Sequence, residues 1–290
     1  MEGILNIDKP HAMTSHDVVG RVRRVAGLRR VGHTGTLDPM ATGVLVVCLG
    51  RATRLVEYVV GRPKTYLGVV RLGQTTDSYD ADGEILTEAA VPELSTAILE
   101  PLLDQFRGDI MQIPPMVSAI KKDGKKLYEL AREGKTVERP PRPVTIYELD
   151  CLSIDGPDIA LRIRCSAGTY IRSIAHDLGQ LLGCGGHLIS LRREQVGKFD
   201  LDSAVSLDEL SSENVDSYLQ PMDLAVDHLP KVVVSAEDER DLLNGKLVSR
   251  QADSPDTELV RVYNPTGRFV GLVSSHQAYW KAKKMFVDAG

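Results

Sequence analysis

A chain of 290 residues with 42% hydrophobic and 26% charged residues is composed like an ordinary folded protein and is long enough for one large domain or two. No apolar run approaches the roughly 18 residues of a membrane-crossing helix, and MEGILNIDKP has no basic stretch leading into an apolar one, so neither a membrane span nor a signal peptide is expected. Four scattered cysteines (Cys48, Cys151, Cys165, Cys184) without a C-x-x-C pair fit a reducing, cytoplasmic setting and argue against a structural zinc.

The net charge of −5 is unevenly spread. Residues 1–64 carry ten Lys or Arg against five acids, and residues 121–142 carry eight against four. Residues 73–106 hold eight acids and no base, and residues 200–260 hold fifteen acids against four bases. Localised basic blocks of this kind suit phosphate binding whatever the total charge. A pair of solvated helix faces would give the same pattern.

In chain order, GILNID (3–8) reads as a strand. Thr14, with Asp17 three residues on, makes a capping box, and Val18, Val19, Val22, Val25 and Ala26 follow at helical spacing, with Arg21, Arg23 and Arg24 mainly off that stripe. Residues 30–42 have no period and hold Gly32, Gly35 and Pro39, which reads as a loop. GVLVVCLG (43–50) is a buried strand, RATRLVEYVV (51–60) a helix, KTYLGVVRLG (64–73) a strand and QTTDSYDADGE a polar loop. A helix is expected over 95–106, a tight turn at Asp123-Gly124, a short helix ending at Gly134, a break at ERPPRP, a strand over 159–165 and a helix in TYIRSIAHDLGQLLG. Strands and helices interleave without steady β-α-β alternation, which predicts an α+β, mixed-sheet domain over residues 1–228. Beyond Leu229-Pro230 the runs KVVVS, ELVRVYN, RFVGLVS and KKMFVDA predict a small all-β module over 229–290, with a thin core that leans on the main body.

The chemistry concentrates in RRVGHTGTLDPMATGVLVVCLG, where Asp38 sits in a glycine-bearing loop just before a buried strand. An isolated Asp-Pro usually only starts a turn. Gly27 to Thr34 nearly matches the phosphate loop G-x-x-x-x-G-K-[ST], but His33 stands where the lysine belongs and an amphipathic helix precedes it, so nucleoside triphosphate binding is not expected.

GHTGTLDPMATGVLVVCLG resembles the aspartate-bearing motif of the TruB family of pseudouridine synthases. NIDKPHAMTSHDVV, KTYLGVVRLGQTTDSYDADGE, PPMVSAIKKDGKKLYELAREG, CSAGTYIRSIAHDLG and GCGGHLISLRREQVGKF resemble further motifs of that family in the same order, over nearly all of residues 3–199. One departure is Ala12, where the family usually has Gly. The C-terminal strands resemble the PUA-type RNA-binding module. The resemblance implies an isomerase that cleaves the glycosidic bond of the uridine at position 55 in the tRNA T-loop, turns the base and rejoins it through carbon 5. It implies no metal or organic cofactor, no membrane and no obligatory protein partner, with the chain acting as a monomer on the T-arm stem-loop. Asp38 then corresponds to the nucleophile, Tyr66 to the residue that stacks on the base, and Arg172 to the partner of the aspartate. Tyr170 and Leu191 correspond to pocket residues, and His33 to a contact for displaced loop bases. An extruded base needs a stacking platform, and the planar guanidinium of Arg can pair a carboxylate at two points. Lys9, Lys64 and the lysines of 121–126 read as phosphate contacts or solubilising groups. Two other readings stay open: a non-catalytic RNA-binding module, and a guide-RNA-dependent synthase working inside a larger complex.

Overall fold

The computed structural model describes residues 1–118, 120–122, 124–135 and 137–286, with the side chains at 121, 122, 126, 128 and 132 left aside. Asp123 of the expected tight turn and the end of the KKMFVDA run lie outside the described residues. The first half of the chain supplies strands β1 (Gly3–Lys9), β2 (Val31–His33), β3 (Thr42–Leu49) and β4 (Lys64–Leu72), the ribbon of β5 (Gln74–Thr76) and β6 (Ile85–Glu88), and β7 (Gly108–Gln112). Helices α1 (Ser15–Ala26), α2 (Val56–Val60) and α3 (Thr96–Leu103) lie among them. A small hairpin of β8 (Lys121–Lys122) and β9 (Lys125–Lys126) leads into α4 (Leu127–Arg132). Then come β10 (Arg142–Asp155), β11 (Asp158–Cys165), α5 (Ile171–Leu181), β12 (Gly186–Val196), β13 (Phe199–Asp200) and β14 (Val205–Ser206).

These strands build one mixed sheet in the order β14-β1-β3-β12-β4-β11-β10-β7, with β13 beside β12 and β2 beside β3. β12 and β3 run parallel, as do β1 and β14, and the other neighbours are antiparallel. α1 starts with the reciprocal Thr14–Asp17 capping box read from the sequence and ends on left-handed Gly27. Its buried Val18, Val19 and Val22 face the sheet, and Arg23 and Arg24 stay exposed. Where β3 meets β12, the backbones come so close that a Cβ on Gly43 would stand 2.2 Å from the Arg193 carbonyl, and φ at Gly43 is 99°. Only glycine fits there. α5 lies equally close to the sheet through Gly179, whose added Cβ would be 2.1 Å from the Gly186 nitrogen.

Some local expectations are corrected. The 30–42 loop contains β2, which pairs with β3, because Val31 is apolar enough to be buried against the sheet. The polar loop from residue 74 opens with β5. The helix expected from residue 51 begins as a 3-10 turn over Gly50–Leu55 before α2.

The C-terminal part forms a second sheet of β15 (Lys231–Val233), β16 (Val248–Ser249), β17 (Leu259–Tyr263), β18 (Phe269–His276) and β19 (Tyr279–Met285), ordered β15-β17-β18-β19-β16. It also carries one helix, α6 (Ala236–Leu243), capped by Ser235, which the strand pattern did not indicate. Leu272 and Phe286 join a core cluster with Ile4, Val44, Val46, Cys48, Ala52, Leu55 and Val59 of the main body. Arg54 lies over the Phe286 ring and donates to the Met285 carbonyl at 2.7 Å, and Lys284 pairs with Glu57. The second sheet leans on the first, as its thin core requires.

Ala12 has φ 63°, a left-handed conformation that an L-residue with a Cβ resists, and its N–H donates to the Pro39 carbonyl at 2.9 Å. Ala12→Gly should relieve this strain and raise unfolding free energy by about 0.5–1 kcal/mol after the extra chain entropy of glycine is subtracted. Chemical denaturation of the two proteins checks this, and equal or lower stability would show that the site carries no strain.

Candidate active site

The loop between β2 and β3 is held from three directions. Ser15, buried in the first turn of α1, accepts the Leu37 N–H at 2.8 Å and donates to the Leu37 carbonyl at 3.1 Å. Lys9 has no exposed surface; its ammonium donates to the carbonyls of Pro10 (2.9 Å), Met13 (2.6 Å) and Pro39 (3.3 Å). Arg193, 1% exposed, donates to the carbonyls of Val44 (2.7 Å), Gly35 (3.1 Å) and Thr36 (3.4 Å). These contacts hold the backbone on both sides of Asp38, whose side chain is 37% exposed.

Arg172 emerges from the first turn of α5 and is 3% exposed. Its Nη2 lies 3.0 Å from Asp38 Oδ2 and its Nη1 lies 3.1 Å from Asp80 Oδ2. The remaining donors reach the Ser78 carbonyl (3.1 Å) and the Val117 carbonyl (2.8 Å). The expected two-point grip on Asp38 is therefore replaced by a bridge between two carboxylates, because Asp80 is buried against the same guanidinium and takes its second nitrogen. Asp80 also accepts from Ser78 Oγ (2.5 Å) and the Asp82 N–H (3.2 Å). Burial pushes its carboxyl above the usual range, against the opposing pull of Ser78 and Arg172.

A cleft of about 260 Å³ opens beside this bridge. Asp38, Tyr66, Tyr170, Arg172 and Leu191 all line it, together with Lys64, Ser118 and Arg193. Tyr66 (7% exposed) comes from β4 and Leu191 (8% exposed) from β12. Burial raises the Tyr66 hydroxyl above its ordinary value, with Arg193 pulling the other way. Tyr170 caps α5; its N–H donates to Gln112 Oε1 at 2.8 Å and its carbonyl accepts from Gln112 Nε2 at 3.0 Å. His33 does not line the cleft. It lies on β2, edge-on to His16 with ring centres 5.5 Å apart, and its Nδ1 accepts the Gly35 N–H at 3.3 Å. Burial, then His16 and Arg193, lower its basicity.

Of the two readings of Lys9 and Lys64, phosphate contact or solubility, the second is overturned: both are buried, and each ammonium is taken up by backbone carbonyls. Burial brings each down to about 8. Asp80 was missed because its segment, TTDSYDADGE, is rich in exposed acids, and nothing local marks which one turns inward.

The chain resembles known proteins along its length. The model of the TruB family pseudouridylate synthase N-terminal domain matches residues 23–171. A tRNA pseudouridylate synthase B C-terminal domain model matches residues 172–227, and a pseudouridine synthase II TruB C-terminal model matches residues 230–276. The chain belongs to the TruB family of pseudouridine synthases. Its relatives in that family include tRNA pseudouridine synthase B of Clostridium kluyveri, 43% identical across 99% of this chain and 100% of the relative. That of Dehalococcoides mccartyi is 44% identical across 99% of this chain and 97% of the relative. Among solved structures, a chain of a Cbf5-Nop10-Gar1 complex superposes with a TM-score of 0.76 at 27% identity, covering 99% of this chain and 85% of that one. An H/ACA RNP bound to a substrate RNA containing 2′-deoxyuridine gives 0.75 at 25% identity, covering 99% and 86%. The TruB fold, with a mixed sheet and a C-terminal β sheet, is thus shared along almost the whole chain.

Arg172→Lys keeps the charge but cannot span Asp38, Asp80 and two carbonyls at once. The turnover barrier is expected to rise by roughly 2–4 kcal/mol, as when a preorganised donor is lost from a reacting site. Single-turnover rates measure this, and a rate close to the parent's would show that the bridge does not position Asp38.

Proposed function

We propose that this chain isomerises the uridine at position 55, in the T-loop of tRNA, to pseudouridine, with Asp38 as the essential carboxylate. The observation that carries this is the placing of one half-exposed carboxylate, held at 3.0 Å by a buried guanidinium, on a cleft lined by Tyr66 and Leu191. A uridine in a folded loop hides its glycosidic bond, so it enters such a cleft flipped out of its stack. Tyr66 offers an aromatic face and Leu191 an apolar one, which hold a base without spending a charge. Asp38 supplies the negative charge for covalent catalysis or for the positive charge that develops at the sugar. His33, beside the Asp38 loop but outside the cleft, meets the loop bases displaced when the uridine leaves. The exposed Arg23, Arg24, Arg29 and Arg30 on and after α1 supply phosphate contacts.

The full-length likeness to bacterial tRNA pseudouridine synthase B proteins supports tRNA as the substrate, and action as a monomer in the cytoplasm without an obligatory partner protein is part of the same proposal. The superposable chains from multi-protein complexes favour the rival in which partners are needed. Conversion of a T-arm stem-loop by the purified chain alone distinguishes the two.

Asp38→Asn should abolish isomerisation and leave RNA binding nearly intact, because asparagine keeps the shape of the side chain and loses only its charge. Tritium release from carbon 5 of labelled uridine, paired with a filter-binding titration, reads both quantities. Turnover near that of the parent overturns the role of Asp38.

Affinity is expected to fall steeply with salt, with a log–log slope of about −0.7 for each single-strand phosphate neutralised. A dissociation constant indifferent to salt would count against phosphate-led recognition.

A further inference from the structure

Two cations in the cleft are left without a role by the isomerisation reading. Lys64 and Tyr66 lie two residues apart on β4 and therefore share a face of the strand. Lys64 is 7% exposed and Arg193 is 1% exposed, and both line the cleft with Asp38. They converge beneath the catalytic loop: a Cβ at Gly35 would meet Lys64 Cε at 3.5 Å and Arg193 Nη1 at 3.8 Å. The Lys64 ammonium donates to the Val60 carbonyl at 2.9 Å and the Arg62 carbonyl at 3.0 Å, which leaves one of its three N–H groups over. Arg193 donates to carbonyls of the catalytic loop and of β3. Among the described residues no carboxylate forms an ion pair with either one. Two desolvated positive charges at one spot are costly unless an anion joins them.

The reaction supplies such an anion. When the C1′–N1 bond breaks, its electron pair leaves with N1 and spreads over the uracil carbonyl oxygens, while the Asp38 carboxylate faces the positive charge at C1′. The base then turns, C5 forms the new bond to C1′, the C5 proton departs to solvent and N1 takes up a proton from solvent, so that the product is neutral. Between the two bonds the base is an anion with no covalent tether in the cleft. We propose that Lys64 and Arg193 form the patch that stabilises this uracil anion, the free N–H of Lys64 donating to a uracil carbonyl oxygen. A delocalised, singly charged ring loses less on leaving water than a phosphate does, and it matches a patch that lies inside the cleft. The inference rests on the isomerisation reading and assigns a further catalytic residue, Lys64, to it.

The test uses the full chain and a T-arm stem-loop under single-turnover conditions, with uridine or 5-fluorouridine at the target. Lys64→Met should slow the reaction on the order of 10²-fold, the scale seen when one preorganised donor to a developing anion is removed, with RNA affinity unchanged. The loss should shrink for 5-fluorouridine, read as consumption of the N1-linked nucleotide because carbon 5 then has no proton to release, since fluorine itself stabilises the anion. Lys64→Arg keeps the charge and should restore most of the rate. Because burial brings Lys64 down to about 8, the parent rate should fall as pH rises through that value. In Lys64→Arg this fall should move to higher pH. The other groups facing this region are Arg193, the Cys165 thiol (pushed up to about 11 by burial), Tyr66, Asp38 and Lys9, and all of them remain in that variant. Should Lys64→Met fail to fold, the pH profile of Lys64→Arg decides alone. A Lys64→Met protein that binds RNA weakly but reacts at the parent rate would make Lys64 a backbone-phosphate contact and overturn the proposal. Equal losses for the two bases would also overturn it. A parent chain that releases no tritium would sink the isomerisation reading itself, whereas an active parent matched by Lys64→Met would sink only this inference.

Discussion

The guanidinium of Arg172 is the constraint on which the site is built. It is almost wholly withdrawn from water, and an isolated charge in that position would be untenable. Asp80 answers the charge from inside, at 3.1 Å, and Asp38 answers it from the cleft wall, at 3.0 Å. The carbonyls of Ser78 and Val117 accept from the same two terminal nitrogens. Three separate segments of chain, at Asp38, Ser78–Asp80 and Val117, thus converge on one planar group, and the direction in which Asp38 points follows from the positions of the other two.

The Asp38 loop is secured by cations acting on carbonyls as well as by apolar packing. Lys9 holds Pro39 from one side, and Arg193 holds Gly35 and Thr36 from the other. Leu37, Met40 and Ala41 of the same loop are buried, so apolar packing adds to these contacts, and hydrogen bonds from buried charged donors are stronger than neutral ones. Asp38 is left with its backbone fixed and its carboxylate accessible.

How much of this was legible depended on the kind of signal. α1 could be read residue by residue, because capping and periodicity agree there. β1, β3 and β4 showed as apolar or alternating runs. The central β12 did not, since Arg192, Arg193, Glu194 and Gln195 give it the look of a surface segment. Arg193 is tolerated inside because it finds three carbonyls, while the partly exposed Arg192 reaches Asp8 at 2.7 Å. α6 was hidden because its first turn is acidic, a feature that favours a helix start but also resembles a solvated loop. In the site, Asp38, Tyr66 and Arg172 were visible only through their joint motifs. Lys9 and Lys64 were misjudged because lysine is almost never fully buried, and their carbonyl partners come from turns that no local pattern discloses.

The cluster that joins Leu272 and Phe286 to Val44, Val46 and Cys48 has a consequence for scale. Those three residues lie on β3, the strand that leads directly out of the catalytic loop. Through that strand the C-terminal sheet packs against the same element that carries the Asp38 loop. Apolar packing at that seam therefore sets the spacing between the C-terminal sheet and the Asp38 loop, and the spacing is fixed by residues that lie in neither surface.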